Sequence, residues 1–224
     1  MIAREHLATA HVPGGEELRL YAHGRDFMIL LKRDELMSTR MRGSEEALAV
    51  QTIARLGEGV APRLLIGGYG MGFTLRAALA ALDAGAHVTV AELVPEIIEW
   101  ARGPMAEHTA GCLDDPRVSL ELRDVADAIG ATTASWDAIL LDVDNGPDGL
   151  VRAANDRLYS PAGLAAAKRA LRPGGVLAVW SAAPDAGFTR RLRAAGFAVE
   201  EAKISARANG KGPRHVIWFA RRAG

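Results

Sequence analysis

A doubly wound α/β fold is what the sequence predicts: a mostly parallel sheet with an antiparallel edge strand, preceded by a small N-terminal β-hairpin extension. Three observations carry it. From Arg63 onward, short apolar strand patterns alternate with helical ones, the order that builds a parallel sheet covered on both faces. The run RLLIGG stops on glycines, and an Ala/Leu-rich helix pattern and a second strand, HVTVAE, follow directly. At the C-terminus AVEEAKIS and HVIWFA are separated by the Gly/Lys/Asn-rich stretch Ala206 to Pro213, which pairs them as antiparallel neighbours.

The elements follow in order. Glu17 to Tyr21 and Phe27 to Lys32 read as two strands joined by Ala22-His23-Gly24-Arg25-Asp26, a hairpin turn. Ser44 to Arg55 reads as a helix, with Ser44 as its cap, Glu45 and Glu46 in the first turn and Ala47, Leu48, Ile53 and Ala54 on its apolar face. Gly57 to Pro62 links it to the strand at Arg63. The domain reading is therefore residues 1–57, an extension of hairpin and helix, and residues 58–224, the sheet domain. A helix from Phe73 to Leu82 precedes the strand ending at Glu92. Pro95, suited to a first helical turn, opens a helix to Arg102. Val118 to Leu122 is a strand, and WDAILLD is a fully apolar central strand ending on Asp142. Pro161 to Leu171 is helical and stops at Arg172-Pro173-Gly174-Gly175. VLAVW is another central strand, and Phe188 to Ala195 a helix ended by Gly196.

The 224 residues carry 27 basic and 27 acidic side chains, so no charge excess points to nucleic acid or an anionic membrane. A single cysteine, Cys112, cannot form an internal disulfide, which fits a reducing, cytoplasmic location. It has no nearby cation in sequence to make it a nucleophile. The first residues lack the apolar core of a signal peptide, and no run approaches a membrane span of about 20 residues. Histidines are scattered singly, without metal-ligand spacing, and no metal site is expected.

The chemistry concentrates at Gly67, Gly68, Gly70 and Gly72, read together with Glu92. Glycines let the backbone turn sharply and approach a ligand without a Cβ in the way. An acid at the tip of the second strand can accept both hydroxyls of a ribose. A dinucleotide loop runs G-x-G-x-x-G, but Phe73 stands where its third glycine belongs, which disfavours NAD. No Gly-Lys-Ser/Thr follows, which excludes a P-loop. The ligand left is an adenosyl sulfonium, which has no phosphates to cradle; the plain alternative is a tight turn that binds nothing.

These residues resemble the polyamine aminopropyltransferases, the spermidine synthase family, and their methyltransferase relatives. LLIGGYGMG looks like the family's cofactor loop, AELVPEIIEWAR its ribose-binding segment with Glu92 the acid, and DDPRV, Asp114 to Val118, a family signature. The resemblance implies a Rossmann-like methyltransferase fold behind a β-hairpin domain. It makes Asp124 an adenine contact and Asp142 the reaction-site acid; by spacing alone Asp124 could instead cap the next helix. A role as general base or orienter suits Asp142, and Asp144 could share it.

Departures from the family pattern set the expectation for the reaction. Gly70 replaces an aspartate that helps hold the aminopropyl amine of decarboxylated S-adenosylmethionine. The second reaction-site acid is displaced in Asp142-Val143-Asp144-Asn145. Ser38 and Arg40 replace a tyrosine and a glutamate of the hairpin-domain signature, with Arg42 nearby. Arginines in a substrate wall are electrostatically wrong for a polyamine. The leading expectation is thus a methyltransferase using S-adenosylmethionine, acting on a small-molecule acceptor bound by Arg40, Arg42 and Tyr159. The alternatives are aminopropyl transfer from the decarboxylated cofactor and a non-catalytic adenosyl-ligand-binding protein. Tyr69, Asp156, Arg157, Trp180 and Ser181 are further candidates around the site. Neither nucleic acid nor membrane is expected as a partner, and a homodimer is allowed for.

Overall fold

The structure, a computed structural model, describes residues 3–57, 61–143, 156–207 and 212–224. Its first element is a four-stranded antiparallel sheet, β1 (Glu5–His11), β2 (Glu17–His23), β3 (Asp26–Leu31) and β4 (Asp34–Ser38), in sequential order. The expected hairpin is β2–β3. The outer strands β1 and β4 were missed because their residues alternate weakly: β1 is mostly exposed or half-buried along its length, so it carries little apolar period.

Helix α1 (Gly43–Ile53) leads to the larger sheet. Its cap position is Arg42, without a side-chain hydrogen bond, which corrects the expectation for Ser44. Ser44 is fully buried and bonds elsewhere. The start of α1 is instead held by the Gly43 N–H donating to Ala206 O at 2.9 Å. Then come β5 (Arg63–Gly67), α2 (Phe73–Ala81), β6 (His87–Glu92), α3 (Pro95–Arg102), the short α4 (Ala106–Thr109), β7 (Val118–Leu122), α5 (Val125–Gly130) and β8 (Trp136–Leu141). The chain ends with α6 (Asp156–Tyr159), α7 (Pro161–Ala170), β9 (Leu171–Ser181), α8 (Ala186–Ala194), β10 (Phe197–Ser205) and β11 (Arg214–Arg222).

The seven strands lie in the order β10-β11-β9-β8-β5-β6-β7. The five strands β5 to β9 are parallel, and β11 runs against them, one place in from the edge, with β10 outside it. The Arg172–Gly175 turn signal appears as a bulge: Trp136 pairs with Leu171 and Ala138 already with Val176. The order reverses between β5 and β8, so their carboxyl ends open a crevice at the place where such sheets bind ligands.

Two apolar cores fill the molecule. One joins the small sheet (Ala10, Leu20, Ile29) to one face of the large sheet (Leu64, Val88, Ala178). Helix α1, grouped with the extension by the sequence reading, packs on α2 and on the large sheet. The other core lies beneath α5, α7 and α8, around Phe188 and Trp218. Trp218 is fully buried, its ring lies edge-on to Phe188 at 5.0 Å, and its Nε1–H donates to Thr189 Oγ1 at 2.9 Å. Trp218→Ala should therefore lower unfolding free energy by about 3–5 kcal/mol, read from the midpoint of urea denaturation.

Candidate active site

The crevice is built by the strand ends. The glycine turn leaves β5 and crosses over the tip of β6, where Gly68 N–H donates to Ala91 O at 2.9 Å. Glu92, 7 % exposed, fixes that crossing. Its Oε2 accepts from Tyr69 N–H at 2.8 Å and its Oε1 from Val94 N–H at 2.8 Å. Burial pushes the Glu92 carboxyl up, opposed by these backbone donors. Gly68 has φ +86, and a Cβ there would stand 2.4 Å from Asp142 O; only glycine lets β5 and β8 come together at this point.

One lobe of the crevice is lined by Gly68, Gly70, Glu92, Val94, Ile97 and Asp124, and closed from the small sheet by Val12, Leu18, Leu36 and Met37. A carboxylate for a ribose, apolar walls for a flat ring and a glycine turn without phosphate donors fit an adenosyl thioether or sulfonium. Asp124 takes the capping place that its spacing allows. It caps α5, accepting from Ala126 N–H at 2.8 Å, and it faces the lobe while paired with Arg157 at 2.7 Å.

A second lobe continues past Gly70 and Asp142 and is lined also by Leu36, Met37, Glu45, Tyr69, Met71, Phe73 and Trp180. Its walls are apolar apart from two acids. Thr74 Oγ1 donates to Asp142 Oδ2 at 2.6 Å, and Ser44 Oγ donates to Glu45 Oε2 at 2.6 Å. Loss of hydration, then the Asp142 charge, pushes the Glu45 carboxyl up to about 8. Loss of hydration pushes Asp142 up to about 6 against the Thr74 bond. Like charges in one largely apolar lobe cannot both ionise cheaply, so the pair holds a proton at neutral pH.

Glu45 was missed as a site residue because an acid in a first helical turn already has a local explanation. The signal was its spacing: Leu48 and Ala49, three and four positions on, are buried, so Glu45 lies on the inward stripe of α1. Thr74 lies on α2, whose N-terminus borders the same lobe. Tyr69 plugs the turn, 3 % exposed, its hydroxyl 3.4 Å from the buried Cys112 Sγ.

Other expectations fail on position. Arg40 pairs with Glu35 at 3.6 Å and Arg42 with Glu46 at 3.3 Å, both about half exposed. Neither lines either lobe, because the turn after β4 carries them to the outside. Tyr159 is buried in the second core, edge-on to Phe188 at 5.5 Å, on the far face of the sheet from the second lobe. Asp144 lies outside the described residues. Gly67 and Gly72 shape the turn: a Cβ would meet Val125 at 2.7 Å and the Tyr69 hydroxyl at 2.7 Å, respectively. At Gly70, φ is +54 and Met37 Sδ lies 3.1 Å from where a Cβ would be. A methionine from the small sheet thus occupies the space that a loop acid would use.

A strand-end site of this form agrees with the family comparison, in which the spermine/spermidine synthase domain matches residues 56–185, over half of the chain. The chain belongs to the spermine/spermidine synthase family. Its relatives include the polyamine aminopropyltransferase of Mycobacterium tuberculosis, 34% identical over 194 residues, which cover 83% of this chain and 34% of that one. The Klebsiella pneumoniae polyamine aminopropyltransferase is 31% identical over 128 residues, 54% of this chain and 40% of that one. The chain spans about a third to two-fifths of the length of these curated relatives. Spermidine synthase from Thermotoga maritima has the same fold, with a TM-score of 0.77 at 18% identity over 97% of this chain and 73% of that one. So does a spermidine synthase in complex with the transition state analogue AdoDATO, with a TM-score of 0.78 at 19% identity over 97% of this chain and 74% of that one.

Membership of this family overturns the methyltransferase expectation, and ordinary S-adenosylmethionine falls with it. The physical premises fail too. The arginines meant to repel a polyamine are outside the lobes, and the lobe that Gly70 lines is also lined by a carboxyl from α1, Glu45. Among the described residues no helix is long and apolar enough to cross a membrane.

Two outcomes are expected. Glu92→Ala should weaken binding of an adenosyl ligand by about 2–3 kcal/mol, measured by calorimetry on a variant that keeps its circular dichroism. The second concerns pH. Glu45 titrates near 4.5 when unfolded and near 8 when folded, so the folded state keeps a proton that the unfolded state has released. Stability conferred by that proton is present below pH 4.5 and is lost as pH rises to about 8. Glu45→Gln should accordingly raise the stability of the ligand-free protein on the order of 1–2 kcal/mol at pH 8, with no gain at pH 4, in thermal melts at both values.

Proposed function

We propose that the chain transfers an aminopropyl group from decarboxylated S-adenosylmethionine to a small amine. The observation that carries this reading is the acid pair Glu45 and Asp142 in an otherwise apolar lobe. A dry lobe holding two carboxyls is costly when empty and favourable when a cation enters. An ammonium group is the cation that fits between apolar walls. The family match and the aminopropyltransferase relatives support the same assignment.

Glu92 would hold the ribose hydroxyls, Asp124 and the apolar wall from Val12 to Ile97 the adenine end, and the Gly68–Gly70 backbone the sulfonium side. The bound cofactor supplies an electrophilic carbon next to a positive sulfur. Glu45 would bind the aminopropyl ammonium in place of the absent loop acid at position 70. Asp142, held by Thr74, would orient the attacking amine, and the Asp142–Glu45 pair would together take its proton and pass it on from Glu45. Binding and alignment do most of the work, since the displacement needs the nitrogen and carbon in line. Met37, Leu36 and Trp180 would present apolar surface to the reacting atoms.

Calorimetry with both cofactors on one preparation tests the proposal. The decarboxylated form should bind at least about tenfold tighter, because a second carboxylate would face Glu45. At pH 7 its binding should release a proton from the Glu45–Asp142 pair, seen as a heat that varies with buffer ionisation. Glu45→Gln should remove both effects. A competition assay offering diamines and amino or hydroxy acids completes it. Diamines should turn over and Asp142→Asn should stop them; preference for the carboxylated cofactor, or for acids as acceptors, would sink the proposal.

A further inference from the structure

The acid pair has an unexpected neighbour. Ser44 Oγ, fully buried, donates to Glu45 Oε2 at 2.6 Å and lies 2.8 Å from His215 Nδ1. Glu45 and Ser44 open α1, whereas His215 sits near the start of β11. The three groups form one unbroken hydrogen-bonded chain. Its inner end lines the acceptor lobe. Its outer end, His215, is only half-buried, beside the exposed Arg214. Trp180 lies edge-on to the imidazole at 4.7 Å and forms part of the lobe wall.

We propose that Glu45, Ser44 and His215 are a proton path leading from the acceptor lobe to solvent. The inference rests on the aminopropyl-transfer reading above. In that reaction an ammonium must lose one proton before its nitrogen lone pair attacks. One C–N bond then forms, one C–S bond breaks, and the C–S electron pair stays on sulfur. Two cations become one secondary ammonium, one neutral thioether and one free proton. That proton begins in a lobe walled mostly by the apolar side chains Leu36, Met37, Met71, Phe73 and Trp180, where few polar groups can receive it.

The path accounts for it in two moves. A protonated Glu45 gives its proton to Ser44 Oγ while the hydroxyl proton passes to His215 Nδ1, and the imidazolium then loses its Nε2 proton outside. What remains is neutral His215 donating from Nδ1 to Ser44, and Ser44 donating to ionised Glu45, an arrangement that the 2.8 Å and 2.6 Å separations accommodate. Rotation of the hydroxyl with exchange of the imidazole tautomer resets the chain. Burial keeps His215 below its usual value, so it is neutral and able to accept. The groups against it are Ser44 of α1, the Trp180 ring of β9 and the cross-strand Ile204 of β10, all uncharged. Facing Glu45 are Asp142 and, next along α1, Glu46, both acidic. A purely structural Ser44 bridge would need no titratable group at its far end.

Two readouts test the path. In the ligand-free protein, NMR should show the His215 titration and tautomer changing in Glu45→Gln, and losing their dependence on Glu45 in Ser44→Ala. A His215 signal indifferent to both substitutions overturns the proposal. In steady-state assays with decarboxylated cofactor and a diamine, His215→Ala and Ser44→Ala should lower kcat about 10- to 100-fold near pH 7, with KM for both substrates within twofold. Added imidazole should restore most of the His215→Ala loss and none of the Ser44→Ala loss. An unchanged kcat in His215→Ala, or a fall in its kcat that imidazole cannot relieve, overturns it. Coupled titration in a wild-type protein that turns over no amine would strike the aminopropyl-transfer reading and leave the proton path standing.

Discussion

Everything at the crevice depends on where the Glu92 carboxylate sits. Its two oxygens hold the Tyr69 and Val94 N–H groups at 2.8 Å, which ties the turn after β5 to the turn after β6. That clamp adds to the Gly68–Ala91 and Gly72–Tyr69 backbone bonds in fixing the course from Gly68 to Gly72, a stretch whose glycines lose the most freedom on ordering. Glu92 therefore organises a loop before any ligand arrives. Its burial is tolerated because backbone donors replace lost water. The same carboxylate then faces the lobe, so the group that shapes the site also lies where a ribose would be read.

The second lobe obeys a different rule. Glu45 and Asp142 stand in an apolar space where their charges oppose each other. Such a pair opposes folding rather than assisting it, and the cost is recovered only if something positive enters. Local hydrogen bonds from Ser44 and Thr74 hold each carboxyl in one orientation. Destabilised groups kept in fixed positions are characteristic of binding and catalysis. This is why the pair weighs more in the functional reading than the missing acid at Gly70, where Met37 of the small sheet fills the space.

Much of the large sheet was legible along the chain. Strands β5 to β8 fall close to where the apolar runs end, since buried parallel strands are continuous apolar segments. The positions of two acids at the crevice were legible for a similar reason: Glu92 ends β6 and Asp124 lies just past the end of β7. The small sheet was half legible, because β1 and β4 lack a clean period. Arg40 and Arg42 were misread. Position in a motif places a residue on a turn, but the side of that turn facing the lobe depends on the register of β4 against β3 and on the ion pairs with Glu35 and Glu46.

The sequence by itself determined the alternating α/β order, the glycine turn and the acids at the strand tips, because each is a short-range matter of period, turn chemistry and spacing. Only the tertiary structure decided what stands around the second lobe. Glu45 enters it from α1, Trp180 from β9 and Met37 from a separate sheet. Ser44 and His215, 171 positions apart, meet at 2.8 Å because the β10–β11 pair docks on the start of α1 through the Gly43–Ala206 bond. No local pattern encodes that meeting. It arises when two sheets and a helix bury their apolar faces together, and the polar groups left between them must find partners.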